Sequence, residues 1–173
     1  EHKRHNYADR PALFAELELT YADRIDVIGT NEQFQVGTGA VRANGIYAGE
    51  EFDARLEPIG WNRPGFRNPN WSPAEPFEWS VDSLETPSSP PIRRIEELTP
   101  TEIQTRPSGR AIIDFGQNIS GWVRITGAGH AGQTVTLRHA EILTPAGELE
   151  TETNRGAAAT DRYTFSGDTE ESW

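Results

Sequence analysis

Two segments of the chain concentrate side chains able to do chemistry. Asn44–Trp61 reads NGIYAGEEFDARLEPIGW and Asp114–Trp122 reads DFGQNISGW. Both mix carboxylates, carboxamides, glycines and aromatic rings where loops give way to strands. Flat rings offer an apolar face to a sugar, while Asn, Gln, Asp and Glu supply directional donors and acceptors. That chemistry is recognition of a hydroxyl-rich ligand. Asn44, Tyr47 and Glu50 are the candidate contacts of the first segment, and Trp61 and Trp71 are the candidate ring platforms. Calcium takes hard oxygen ligands, and a glycine-containing loop can converge them, so Asn44 and Glu50 are also candidate metal ligands. Asn44-Gly45 has a plainer reading as a hairpin corner, because both residues tolerate a left-handed turn.

The other polar groups read first as structural. Asp53 and Arg55 fall on one face of an extended segment and suit an ion pair that braces a loop. Asp114, Gln117 and Asn118 suit a side-chain lock on a backbone turn, with Phe115 and Trp122 as core beside them. The histidines at 2, 5, 130 and 139 lack the spacing of a metal site. With 27 acidic residues, some carboxylate pair will always stand roughly 5–10 Å apart, so the count is no sign of a glycosidase. No nucleophile elbow, P-loop or His-Glu-x-x-His motif occurs, and no catalytic residue is assigned.

Short strands must position these groups. In Ala12–Tyr21 the apolar residues Leu13, Leu17, Leu19 and Tyr21 share one parity, which predicts a half-buried strand, with a short helix as the alternative. Further strands are expected at Ile25–Gly29, Phe34–Gly37, Phe52–Glu57, Ile92–Leu98, Thr101–Thr105, Ala111–Phe115, Trp122–Thr126, Thr134–Ala140 and Arg162–Phe165. Turns are expected at Gly127–Gln133 and Thr144–Glu148. Residues 58–91 form a long loop rich in proline that holds Trp61, Trp71 and Trp79, and residues 1–11 read as an entry segment or linker. The sum is one all-β domain over residues 1–173: an antiparallel β-sandwich of jelly-roll, galactose-binding-domain-like type.

Composition bounds the partners. The chain has 173 residues, a formal charge of -11, 16 glycines and 12 prolines, and its mean hydropathy is -0.66. Such acidity argues against nucleic acid or an anionic membrane as partner. There is no cysteine, which removes disulfides and thiolate chemistry and leaves the redox compartment open. No apolar run approaches the roughly 20 residues of a membrane helix. No signal peptide is visible at the start, and the abrupt ends suggest a domain cut from something longer; localisation stays unassigned.

GIYAGEEFDARLEPIGW, PPIRRIEEL (Pro90–Leu98), DFGQNISGWVRI and VTLRHAEILTPAGEL, in that order between DRPALFAELELTYAD and ATDRYTFSG, resemble the non-catalytic β-sandwich region of bacterial α-L-rhamnosidases of glycoside hydrolase family 78. The resemblance covers nearly the whole chain. It implies a domain similar to carbohydrate-binding module family 67, which holds L-rhamnose with the help of calcium. It also implies a helical catalytic domain elsewhere in the same polypeptide. Members of the binding type carry an acidic residue beside the Ile-Tyr pair and Asp before Gly-Glu. Here Gly45 and Ala48 stand in those places, and Glu50 keeps the pattern. The resemblance therefore implies either an L-rhamnose-binding module with Asn44 and Glu50 at the ion, or a structural β-domain that supports the catalytic domain and has no site of its own.

Overall fold

The computed structural model describes residues 10–80, 82, 84–167 and 170–173. His2, His5 and most of the expected entry segment lie outside the described residues. The described residues are all-β, with twelve strands and two short 3-10 turns among them, and they gather into two compact units. One comprises the described residues up to Thr38 together with those of Gly65–Leu84. The other comprises Gly39–Pro64 together with Glu85–Trp173.

In the first unit β1 (Glu16–Thr20) pairs antiparallel with β2 (Ile25–Gly29). β1 is shorter than the pattern suggested, and the expected half-burial is not found: Leu13, Leu17 and Tyr21 are exposed and only Leu19 is partly covered. Its connection closes through Tyr21 N–H to Arg24 O at 2.8 Å. The Arg24 guanidinium lies 4.1 Å from the Tyr21 ring centroid, and the contact holds the turn. β3 (Gln35–Val36) pairs with β6 (Ser72–Pro73), so part of the long loop is ordered by a ladder. Trp71 packs over Gly37, where an added Cβ would lie 2.1 Å from Cδ1 of the indole.

The second unit is organised around a four-stranded sheet in the order β10-β11-β5-β4. β4 (Val41–Gly45) and β5 (Gly49–Asp53) form a hairpin, and β10 (Thr134–Arg138) pairs antiparallel with β11 (Thr160–Thr164). β11 and β5 run parallel, with Arg162 opposite Glu51, Tyr163 opposite Phe52 and Thr164 opposite Asp53. The period of two sorts the side chains by face. Phe52, Tyr163 and Phe165 share one face, where Tyr163 stacks on Phe52 at 5.7 Å and on Trp173 at 5.3 Å. Thr134, Glu51, Asp53, Arg162 and Thr164 occupy the other. β7 (Glu102–Thr105) with β8 (Ala111–Asp114) makes a separate hairpin, and β9 (Thr126–Gly127) pairs with β12 (Glu171–Ser172).

Three sequence expectations need correction. The strand expected over Phe52–Glu57 ends at Asp53, because the Asp53 carboxylate accepts the Arg55 N–H at 3.1 Å and starts a 3-10 turn. Ile92–Leu98 joins no ladder among the described residues. Ile92 and Ile95 are three apart, so an extended chain throws them to opposite faces, and both stay more than nine-tenths exposed. Trp122 is 70% exposed rather than core, and of the strand expected over Trp122–Thr126 only its end is paired, Ile125 with Trp173 and Thr126 with Ser172.

Candidate functional site

The candidate residues of the second unit fall at the two ends of β5. At the hairpin end Asn44 stands directly opposite Glu50. Its Nδ2 donates to Glu50 Oε2 at 2.8 Å, and Trp173 Nε1 donates to Glu50 Oε1 at 3.2 Å. The turn itself spans Gly45 to Gly49 and carries Tyr47, 56% exposed, at its tip. Tyr47 O and Ala48 O accept the N–H groups of Ala159 and Thr160, each at 3.0 Å, which clamps the hairpin to the start of β11. Asp161 completes the clamp, accepting from Glu50 N–H at 2.8 Å and meeting His139 Nε2 at 2.8 Å. Gly49 is required here. Its φ is 96°, and a Cβ would sit 2.2 Å from Thr160 O.

This end fits calcium only in part. Both Glu50 oxygens already take an N–H, and Asn44 turns its donor side inward. Among the described residues no group of three or more His, Asp or Glu side chains converges as a metal cluster. Calcium wants about six to eight oxygens, and this pair brings one carboxylate and one carboxamide.

Past the other end of β5 lies an open groove of about 580 Å³. Trp61, Glu57, Asn62, Tyr163, Ser166 and Glu171 are among its lining residues. Trp61 is 54% exposed, and its indole N–H is fixed by Glu57 Oε1 at 3.0 Å. Gly60, at φ 78°, makes the turn that carries it. Opposite, Glu171 is a carboxylate held by many donors: Tyr163 OH at 2.7 Å, Ser166 N–H at 3.1 Å, Ser166 Oγ at 3.1 Å and Gly167 N–H at 3.0 Å. Burial raises its pKa, but these hydrogen bonds outweigh burial and bring it down to about 2. Asp53 and Arg55 form the expected brace at the groove's edge, with bonds of 2.9 and 2.7 Å. Hydrogen bonding from Arg55 holds the Asp53 carboxyl below its usual range.

The structure thus brings Asn44, Tyr47 and Glu50 together at one hairpin and places Trp61 in a groove of its own. Trp71 belongs to the other unit, half-buried and edge-on to Phe66 at 5.5 Å. Its indole nitrogen is buried without a hydrogen-bond partner among the described residues. Asp114 locks its turn as expected, accepting Gly116 N–H at 2.7 Å. Sequence reasoning missed Glu57, Asn62, Tyr163, Ser166 and Glu171 as groove residues. Only the Glu57–Trp61 spacing was a usable local sign; the rest come together through strand pairing.

The second unit thus presents a polar groove with an exposed indole on an all-β frame. The chain matches the family model "Alpha-L-rhamnosidase N-terminal domain" over residues 1–96 and "Bacterial alpha-L-rhamnosidase concanavalin-like domain" over residues 104–173. It belongs to the α-L-rhamnosidase family. It is 38% identical over 176 residues to an α-L-rhamnosidase of Streptomyces avermitilis, covering 98% of this chain and 17% of that protein. It is 28% identical over 169 residues to one from Formosa agariphila, covering 94% and 18%. Among solved structures, it superposes on the Streptomyces avermitilis α-L-rhamnosidase complexed with L-rhamnose with a TM-score of 0.89 at 37% identity, over 98% of this chain and 17% of that one. The Aspergillus terreus enzyme gives 0.84 at 35%, over 92% and 18%. The chain therefore spans under a fifth of the length of the curated relatives it matches, and the β-sandwich fold class read from its sequence agrees with theirs.

Proposed function

We propose that this chain is a non-catalytic, carbohydrate-binding part of an α-L-rhamnosidase, and that it holds a terminal L-rhamnose in the groove beside Trp61. One observation carries the reading: an indole fixed by Glu57, with its face half open, across a groove from Tyr163, Ser166 and Glu171. The ring takes the apolar face of the sugar, and Asn62, Ser166 and the Glu171 edge take its hydroxyls. Hydrolysis would lie in another part of the polypeptide. Binding of one sugar is weak by itself, and tethering raises the effective concentration of enzyme at a rhamnose-bearing glycan.

Calcium enters this proposal at the hairpin end alone, where Asn44 Oδ1 and the Glu50 carboxylate would be its side-chain ligands if the amide presented its oxygen. The Trp61 groove does not need the ion. Calorimetry with L-rhamnose, before and after chelation, is the test. Heat that survives chelation and vanishes in Trp61→Ala is the expected result. Heat that vanishes on chelation or in Asn44→Ala would move the site to the hairpin.

A second reading, a β-domain that only supports the catalytic domain, is favoured by the amount of apolar side chain left in the open. Ile46, Ile59, Ile92 and Ile95 are each at least 94% exposed, whereas among the described residues only Ala40, Tyr163 and Phe165 are buried hydrophobic residues. Exposed apolar surface on this scale marks an interface. Absence of rhamnose heat in every condition would select this reading.

A further inference from the structure

The pairing of β4 with β5 slips between Val41 and Ala43, so Arg42 is the extra residue of a β-bulge. Bulges re-aim a side chain relative to the regular pleat. Arg42 is aimed over the polar face of the four-stranded sheet, the face opposite the aromatic cluster. There it lines a second groove, of about 210 Å³, with Glu51, Asp53, Thr134, Arg162 and Thr164.

Charge within this groove is almost fully matched. Arg162 meets Glu51 at 3.0 Å, and Arg55 meets Asp53 at 2.7 Å. Thr134 Oγ1 and Thr164 Oγ1 are hydrogen-bonded to each other at 2.8 Å. Arg42 makes no hydrogen bond or ion pair among the described residues; its charge is felt by Asp53, which Arg55 already bridges. Three guanidiniums thus face two carboxylates, and the donors of Arg42 are open beside a pair of hydroxyls. The acidity of the whole chain does not cancel this excess, because charges beyond about 8 Å are screened at physiological salt.

We propose that this groove is a second ligand site and that it takes an acidic sugar, a pyranose bearing a carboxylate. The carboxylate pairs with Arg42, whose planar fork matches it in two-point fashion. Ring hydroxyls reach Thr134, Thr164 and Glu51. The choice of a saccharide rests on the carbohydrate-binding reading above; the site itself does not share residues with the Trp61 groove.

Glucuronic acid and glucose test it, since they share a ring and differ only in the carboxylate. In amide-resolved NMR of the 173-residue chain, glucuronate should shift Arg42, Thr134 and Thr164, while glucose at equal concentration leaves them in place. Arg42→Ala should weaken glucuronate about fivefold, the loss of one exposed charge-assisted pair, and Arg42→Lys should recover part of it. Equal shifts from glucose, equal shifts from acetate, or glucuronate shifts unchanged in Arg42→Ala would each overturn the site. The Trp61 indole N–H signal under L-rhamnose reads the other groove in the same spectra. Its silence would fail the rhamnose proposal and leave the Arg42 result standing.

Discussion

At the scale of single residues, two backbone and charge constraints lead to measurable consequences. Gly49 combines a left-handed φ with a strand backbone pressed against it. Gly49→Ala should cost about 2 kcal/mol or more in urea unfolding, through strain and loss of the Thr160 N–H to Ala48 O bond. Glu171 has its folded pKa near 2 against an ordinary 4.5. Between those values the unfolded chain binds the extra proton, so the contribution of Glu171 to stability is whole above about pH 4.5 and is lost as pH falls toward 2. Glu171→Gln should flatten the midpoint-against-pH curve in that window, and an unchanged curve would show that the donors around Glu171 add nothing. Neither feature is visible locally: Gly49 looks like any hairpin glycine, and Glu171 sits in a run of acidic residues until Tyr163 and Ser166 are folded onto it.

At the scale of elements, strand existence was largely legible and strand limits were not. Ile25–Gly29 and the pair Thr101–Thr105 with Ala111–Phe115 were expected within a residue of where they lie, because alternation and flanking turns agree. β5 was misplaced because Asp53, a good cap residue, stops the strand the apolar pattern would continue. The loop carrying Trp71 gained a ladder that no local signal announces. Since Trp71 closes over Gly37 inside the first unit, Trp71→Ala should raise hydrogen exchange at Val36 and Ala74. It should leave amides beside Tyr163 protected, and exchange that rises in both units equally would show that they unfold as one.

At the scale of the whole molecule, the balance of buried and open apolar residues decides how the chain tolerates change. Tyr163 contacts Phe52, Phe165 and Trp173 and is 4% exposed. Tyr163→Ala should cost about 3 kcal/mol or more, in the range of aromatic deletions from a core. Ile59→Ser and Ile95→Ser should change the stability of the isolated chain by under about 0.5 kcal/mol, because neither side chain is buried. Denaturant midpoints of the three variants check this contrast. A large loss at Ile95 would mean that the side chain is covered in solution.

Composition, alternation and motif order alone determined the all-β class and the resemblance to the α-L-rhamnosidase β-region, since each depends on local pattern. Only the tertiary structure decided that Glu50 is occupied by Asn44 and Trp173, that Trp61 and Glu171 face one groove, and that Arg42 is the extra residue of a bulge beside Asp53. The groove and the Trp173 contact depend on residues more than a hundred positions apart, through the pairing of Glu51 with Arg162 and the hydrogen bond from Trp173 to Glu50. Register across such a distance is set by which faces can bury their rings together, and no local window of sequence contains both partners.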